Sequence, residues 1–259
     1  MTRFRLLDTG TADGDWNMAL DEALLEGHRL GISPSTLRFT AWKRPTLSLG
    51  YAQKLEGVNL AACRAHGVAI VRRPTGGRAV LHAGDFTYAF VGSGLPESVA
   101  ASYRVLAGAI AQSLAWLGLE STLAAGTASR SRPVDCFAVA TQADLCAAGA
   151  KLVGSAQTRR AGAVLQHGSL YLRYPAALGE AIFGSGPAIG DLASRLEAMP
   201  ALDAIKDAFR RGFAEVLGAA WEPGEVSAWE LERIEAMRKG YRVGIFGWPG
   251  VAPAPDCPA

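Results

Sequence analysis

The sequence predicts an α+β fold, a mixed and mostly antiparallel central sheet flanked by helices, and three observations point there. Short apolar runs rich in β-branched and aromatic residues recur between Gly and Pro breakers, at 37–42, 46–51, 68–72 and 86–91. Amphipathic stretches of helical period stand among them without strict strand–helix alternation. The 259 residues are 49% hydrophobic and 19% charged, enough to bury a full core and too apolar for a disordered chain.

The elements follow in order. Residues 4–8 form a short strand, and 16–28 follow the capping candidates Asp13 and Asp15 with apolar residues at helical spacing. Residues 37–42 and 46–51 are strands split by Arg44-Pro45. Residues 55–66 are predicted as a helix ending at Gly67, and 68–72 as a β-branched strand. Beyond Gly76 and Gly77, 79–82 and 86–91 alternate like the arms of a hairpin. Residues 97–119 make the longest helix. Residues 124–133 are small and polar, a loop, while 152–156 and 164–172 are strands. Residues 184–190 form a Gly-rich connection, and 202–217 and 228–239 are the closing helices. Residues 1–250 are expected to form a single catalytic domain and 251–259 a Pro-rich tail.

Composition bounds the function. With 26 Lys+Arg against 24 Asp+Glu the net charge is +2, too small a field to make nucleic acid or membrane the expected partner. The amino terminus carries charge and no apolar stretch of signal length, so a cytoplasmic location is expected. The apolar window 99–119 is interrupted by Arg104 and Gln112, which suits a buried helix better than a membrane span. Cys63, Cys136, Cys146 and Cys257 make neither a C-x-x-C nor a zinc-spaced cluster, so no metal is expected and the thiols should be reduced.

Three segments can carry chemistry. In Arg72-Arg-Pro-Thr-Gly-Gly-Arg-Ala-Val-Leu-His82, adjacent glycines let backbone amides approach a ligand, and Arg72, Arg73 and Arg78 offer charge to a phosphate or carboxylate; a tight turn with solvated arginines is the plainer reading. Cys136 and Lys151 form the second. A thiolate needs a positive neighbour, and Lys151 is the only lysine between Lys54 and Lys206 in an arginine-rich chain. A buried thiol and a solvated amine are the alternative, and Cys146 lies nearer the lysine in sequence. The third is Gln166-His-Gly-Ser169, where His167, like His82, is either a base or a hydrogen-bonded structural residue.

Taken in order, these stretches resemble the lipoate-protein ligase and octanoyltransferase family. Val71 to His82, Cys136-Phe137, Gly149-Ala-Lys-Leu-Val-Gly-Ser-Ala-Gln-Thr-Arg159 and Leu165-Gln-His-Gly-Ser-Leu-Tyr-Leu172 carry the likeness, with Trp16-Asn-Met-Ala-Leu-Asp-Glu22 and Ser48-Leu-Gly-Tyr-Ala-Gln53 upstream. The likeness implies a biotin/lipoyl-ligase-like fold. It also implies Cys136 and Lys151 as catalytic residues, and Arg72, Arg73, Thr75, Gly76, Gly77, Arg78, His82, Gly154, Ser155, His167 and Gly168 as substrate-binding ones. The cysteine 15 residues before the lysine, followed by Phe, and the short carboxy-terminal region are similar to the cysteine-dependent octanoyltransferase branch. Arg78 replaces the third glycine usual in the ligases, and the acid usually next to the histidine is displaced to Asp85.

That branch implies transfer of an octanoyl group from octanoyl acyl carrier protein, through a thioester on Cys136, to a lysine of a lipoyl domain or glycine-cleavage H protein, without a cofactor. Its partners are acidic, and Arg72, Arg73, Arg78, Arg159 and Arg160 are expected around the site to meet them. Gly76-Gly77 or Gly154-Ser155 are the candidate oxyanion donors. An ATP-dependent lipoate ligase, an octanoyl amidotransferase between lipoyl domains and a non-catalytic lipoyl- or biotin-domain binder are the alternatives.

Overall fold

The computed structural model describes residues 2–124, 134–138, 144–147, 149–184 and 189–244. The chain opens with strand β1 (Thr2–Ala12), helix α1 (Gly14–Arg29), strands β2 (Thr36–Trp42) and β3 (Thr46–Leu49), the short helix α2 (Leu60–Ala65), and strands β4 (Ala69–Arg72), β5 (Val80–His82) and β6 (Asp85–Gly92). Helix α3 (Val99–Trp116) leads to strand β7 (Thr122–Leu123), a 3-10 turn at Cys136–Ala138, and strands β8 (Leu145–Ala147), β9 (Ala150–Arg160) and β10 (Ala163–Tyr171). Helix α4 (Ala176–Phe183), a 3-10 turn at Leu192–Ser194, helix α5 (Leu202–Leu217), strand β11 (Ala219–Pro223), helix α6 (Ala228–Met237) and a last 3-10 turn at Arg238–Tyr241 complete it.

The strands form two sheets, a large one ordered β11-β1-β2-β6-β10-β9-β8-β7 and a small one ordered β4-β3-β5. Only β11–β1 and β1–β2 are parallel in the large sheet, so the mixed, mostly antiparallel expectation is met. Period-2 alternation explains its two covered faces. On β6, Phe86, Tyr88 and Phe90 pack with Ile110 and Leu114 of α3 and Phe209 and Phe213 of α5. Ala89 and Val91 meet Leu20 and Leu24 of α1 and Ile234 of α6 on the other face. The small sheet holds its own core, with Leu47, Leu49, Ile70 and Leu81 around Cys63.

Capping explains where several helices begin. Asn59 accepts from the Ala62 amide and starts α2, so the helix is shorter than the expected 55–66; Gly57, at φ +82°, lies outside it. Ser227 and Glu230 form a capping box at α6. Glu230, fully buried, also receives Arg5 at 2.6 Å and the Ser33 hydroxyl at 2.6 Å, which ties α6 to the start of the large sheet.

The expected hairpin of 79–82 and 86–91 is not formed. β5 pairs with β3 in the small sheet, while β6 lies between β2 and β10 in the large one. The reason is the turn between them. Gly84, at φ +82°, is pressed against the Arg173 carbonyl, and its own carbonyl accepts from the Leu172 and Arg173 amides, so the turn is fastened to the end of β10 and the chain crosses from one sheet to the other. Strands β7, β8 and β11 and helix α4 are additional to the expected elements. Of the expected loop 124–133 only Ala124 is described. Residues 185–188 of the connection, the tail 251–259 and Cys257 lie outside the described residues.

Candidate functional site

The seam between the two sheets carries the chemistry. Cys136 sits in its 3-10 turn because the turn is fastened on two sides. The Cys136 amide donates to the Ala79 carbonyl at 2.8 Å while the Ala79 amide donates to Val134 at 3.1 Å, a short parallel bridge beside β5. The Asp135 carboxylate accepts from the Phe137 amide at 2.9 Å, and the Phe137 ring lies against Tyr171 and over Gly154, where a Cβ would stand 3.1 Å from the ring.

Lys151, at the start of β9, reaches this turn. Its Nζ is 2.9 Å from the Cys136 carbonyl oxygen, 3.6 Å from Cys136 Sγ and 2.9 Å from Asp144 Oδ2, and it lies 4.9 Å from the Phe137 ring centroid. Lysine and aspartate side chains are each 3% exposed. Burial opposes the lysine's charge, but Cys136 and Asp144 outweigh it and hold the ammonium above the ordinary lysine range. Cys146, paired across from Lys151 on β8, differs: burial, then Asp144, push its thiol up.

In front of Cys136 opens a cleft enclosing about 440 Å³ including its mouth. Of the expected site residues, Arg73, Gly77, His82, Cys136, Gly154, Ser155, His167 and Gly168 line it. Met18 of α1, Trp42 at the end of β2 and Val80 of β5 supply apolar wall that the sequence reading did not name. Trp42 is held there by stacking on His82, ring centroids 3.8 Å apart, and by donating to Thr87 at 2.9 Å.

Both histidines have two ring-nitrogen partners. His82 meets Ser48 at 2.8 Å and Asp85 at 2.7 Å, and burial pushes its imidazole below the ordinary range in spite of the carboxylate. The displaced acid therefore reaches the histidine after all, three residues on across the seam. His167 meets Thr75 at 2.7 Å and Asp21 of α1 at 2.8 Å. Burial opposes the Asp21 charge, yet Arg38 at 2.6 Å and His167 hold its carboxyl below the usual range. Arg38, wholly buried, also donates to Asn17, Thr9 and Thr40, so its fork is satisfied on every side.

Arg72 and Arg73 spend most of their donors on the backbone. Arg72 Nη1 reaches the carbonyls of Gly50, Tyr51 and Gln53 at 2.7 to 3.0 Å. Arg73 donates to the carbonyls of Ser48, Gly76 and Arg78 and to the Thr75 hydroxyl. These bonds shape the 73–78 loop, in which Gly77 has φ +91° and presses its carbonyl on the Cα of Gly50 where no Cβ fits. Thr75 is buried beneath, and Gly76 is exposed. Arg159 and Arg160 stand eight and nine residues along β9 from Lys151, about 26 Å at strand rise, so they do not surround Cys136. Arg160 pairs with Glu22 at 2.5 Å and Arg159 donates to Pro96. Among the described residues no cluster of three or more His, Cys, Asp or Glu could hold a metal ion. No helix among them is long and apolar enough to cross a membrane.

Two sheets meeting at a cleft with a buried lysine beside it form the fold of a lipoate-protein ligase. Lipoate-protein ligase A bound with ATP superposes with a TM-score of 0.81 at 24% identity, covering 92% of this chain and 94% of that one. The chain belongs to the lipoyl protein ligase A/B catalytic domain family, whose model matches residues 13–183. Among its relatives, the octanoyltransferase LipM of Kyrpidia tusciae is 38% identical over 93% of this chain and 97% of its own length. The octanoyltransferase LipM of Geobacillus kaustophilus is 35% identical over 91% and 94%.

Proposed function

We propose that the protein is an octanoyltransferase of lipoate biosynthesis that moves an octanoyl group from octanoyl acyl carrier protein, by way of a thioester on Cys136, to a lysine of a lipoyl domain or glycine-cleavage H protein. The observation that carries this reading is the Lys151 ammonium 3.6 Å from the Cys136 sulfur at a largely apolar cleft. An ammonium at that distance favours the thiolate, the nucleophilic form. The names of the relatives support the octanoyl group, and the family supports a lipoyl protein as acceptor.

In the first half-reaction the Cys136 thiolate attacks the thioester carbonyl of the donor. The carbon–sulfur bond to the carrier breaks, and the departing carrier thiolate takes a proton from Lys151. The enzyme then holds an octanoyl thioester and a neutral lysine. In the second, the ε-amine of the acceptor attacks the thioester, the amide bond forms, Cys136 leaves as thiolate and Lys151 recovers its proton from the attacking nitrogen. Both histidines are engaged on both ring nitrogens, which suits them to hold Trp42 and the 73–78 loop in place rather than to move protons. The Trp42, Met18 and Val80 wall takes the acyl chain, each buried methylene contributing about 0.8 kcal/mol. Residues 1–250 act as one catalytic domain, a reading supported by the pairing of Val71 with Arg242, which brings the carboxy-terminal segment back onto the small sheet.

Mass spectrometry of the protein mixed with octanoyl acyl carrier protein tests the reading. An octanoyl adduct that disappears on addition of apo lipoyl domain is expected. Product formed from octanoate and ATP without any adduct would make the protein a ligase instead, and neither adduct nor product would make it a binder.

A further inference from the structure

The proposed reaction gives no task to Asp144, a buried charge in contact with Lys151. Asp144 precedes β8, and with Lys151 it forms an ion pair at 2.9 Å in which neither side chain is more than 3% exposed. An ammonium has three N–H donors and no acceptor. The nitrogen of Lys151 has three acceptors in reach: the Cys136 carbonyl oxygen, Cys136 Sγ and Asp144 Oδ2. With Cys136 as the thiolate all three are acceptors, and a neutral amine in the same place would turn its lone pair on one of them.

We infer that Asp144 is the third member of a Cys136–Lys151–Asp144 triad, a positioning residue that holds Lys151 as the ammonium beside the nucleophile and returns the lysine to that form in the second half-reaction. The inference rests on the acyl-transfer reading of Cys136 and Lys151. The reason it needs Asp144 is the change of charge during turnover. On the acyl-transfer reading, before acylation the Cys136 sulfur and the Asp144 carboxylate both lie against the lysine nitrogen. Once the sulfur is acylated its charge is gone, and Asp144 is the anion still in contact with the nitrogen. Its carboxylate then supplies the field that makes the neutral lysine a strong enough base to take the proton of the attacking amine. Removing it would leave the ammonium buried with less compensation, which weakens its hold on the proton.

Other ionisable groups face the pair. Asp135 from the Cys136 turn and Cys146 from β8 face Lys151, while Tyr88 from β6 and Tyr103 from α3 face Asp144. Burial keeps the tyrosines protonated, Tyr88 being pushed up to about 12, so neither adds charge in the working range.

The test is the pH dependence of octanoyl loading, followed by intact mass in single turnovers with octanoyl acyl carrier protein, for the wild type, Asp144→Asn and Asp144→Glu. Loading needs the lysine proton, so it should fall at high pH where the ammonium is lost. That fall should come at lower pH in Asp144→Asn. With the lysine held above its ordinary range in the wild type, the ratio of variant to wild-type rate is expected to be flat near pH 7, to fall as pH rises through the variant's lysine pKa, and to level off about tenfold lower for each unit by which that pKa is reduced. Asp144→Glu, which keeps the charge, should return a flat ratio even if its rate is lower. In addition, Asp144→Asn should pass its octanoyl group to apo lipoyl domain more slowly than the wild type by about tenfold or more. A ratio that stays constant for Asp144→Asn, with unchanged transfer, would overturn the triad and reduce Asp144 to a packing partner. Absence of any adduct on the wild type would overturn the acyl-transfer reading itself, a separate outcome.

Discussion

Cys136 and Cys146 are both half-buried thiols within reach of the field of Lys151, and their surroundings separate them. Cys136 has the ammonium at 3.6 Å, whereas Cys146 faces Asp144, which with burial pushes its thiol up. Cys136→Ala should therefore abolish the octanoyl adduct, and Cys146→Ala should leave it near the wild-type level; loss of the adduct in the second variant alone would reverse the assignment. Lys151→Ala should slow alkylation of Cys136 by iodoacetamide near neutral pH, because the thiolate loses its counter-charge. Lys151→Arg keeps a charge that cannot release its proton, so an acyl enzyme that forms slowly and then accumulates is expected, visible by mass. The scarcity of lysine singled out Lys151 in the sequence but left Cys136 and Cys146 both open as its partner, and the resemblance to the octanoyltransferase branch is what pointed to Cys136. Asp144 was not legible, since an acid beside a three-residue strand carries no period or motif and its partner is chosen by the fold. Likewise Asp85 stands three places from His82, and only the crossing of the seam shows that the two meet.

At the level of elements, long periodic segments were readable and so were the short strands bounded by Gly or Pro, β3, β4 and β5, whereas β7, β8, β11 and α4 were not. Strand β11, Ala-Ala-Trp-Glu-Pro, has low strand propensity and exists because β1 offers it a parallel partner. Strand β8 is three residues long and is held by β9. Helix α4 contains Gly179, which is needed there because the Tyr174 hydroxyl occupies the place of a Cβ. On β10, Gly168 faces a similar limit: a Cβ would stand 2.7 Å from the Gly154 carbonyl oxygen and 2.7 Å from Tyr88. Gly168→Ala must push β9 away from β10, with an expected loss of about 1–3 kcal/mol in denaturant unfolding and a lower rate of octanoyl loading. Ser227→Ala removes one bond of the α6 capping box far from the cleft. It should cost about 1 kcal/mol and leave loading unchanged, so the pair separates stability from site geometry.

The whole molecule carries one carboxyl whose titration should be readable in its stability. Burial pushes Asp135 from an ordinary 3.8 up to about 6, against the Phe137 amide and Lys151, and its Oδ2 is buried with no partner. A raised carboxyl favours the folded state while protonated. Its contribution is complete below about pH 4, where both folded and unfolded forms hold the proton, and is lost as pH rises through about 6. The shift of roughly two units corresponds to about 3 kcal/mol at most. Asp135→Asn keeps the acceptor for the Phe137 amide and cannot ionise. Its melting temperature relative to the wild type should therefore rise between about pH 4 and about pH 7.5, and a difference independent of pH would show that the carboxyl does not titrate in this range.

The crossing of the chain at Gly84 has a consequence for how the protein breathes. His82 ends β5 of the small sheet and Asp85 begins β6 of the large one, and their 2.7 Å bond spans the join together with Ser169 and Ser48. A rivet of this kind lets neither sheet slide past the other without exposing a buried carboxylate and imidazole, so partial openings that separate the sheets are penalised. Amide hydrogens of β5 and β6 should exchange with solvent at a common rate, as parts of one cooperative unit. In His82→Ala the small sheet should exchange faster than the large one, which would mark the histidine as the fastener that keeps the two walls of the cleft in register.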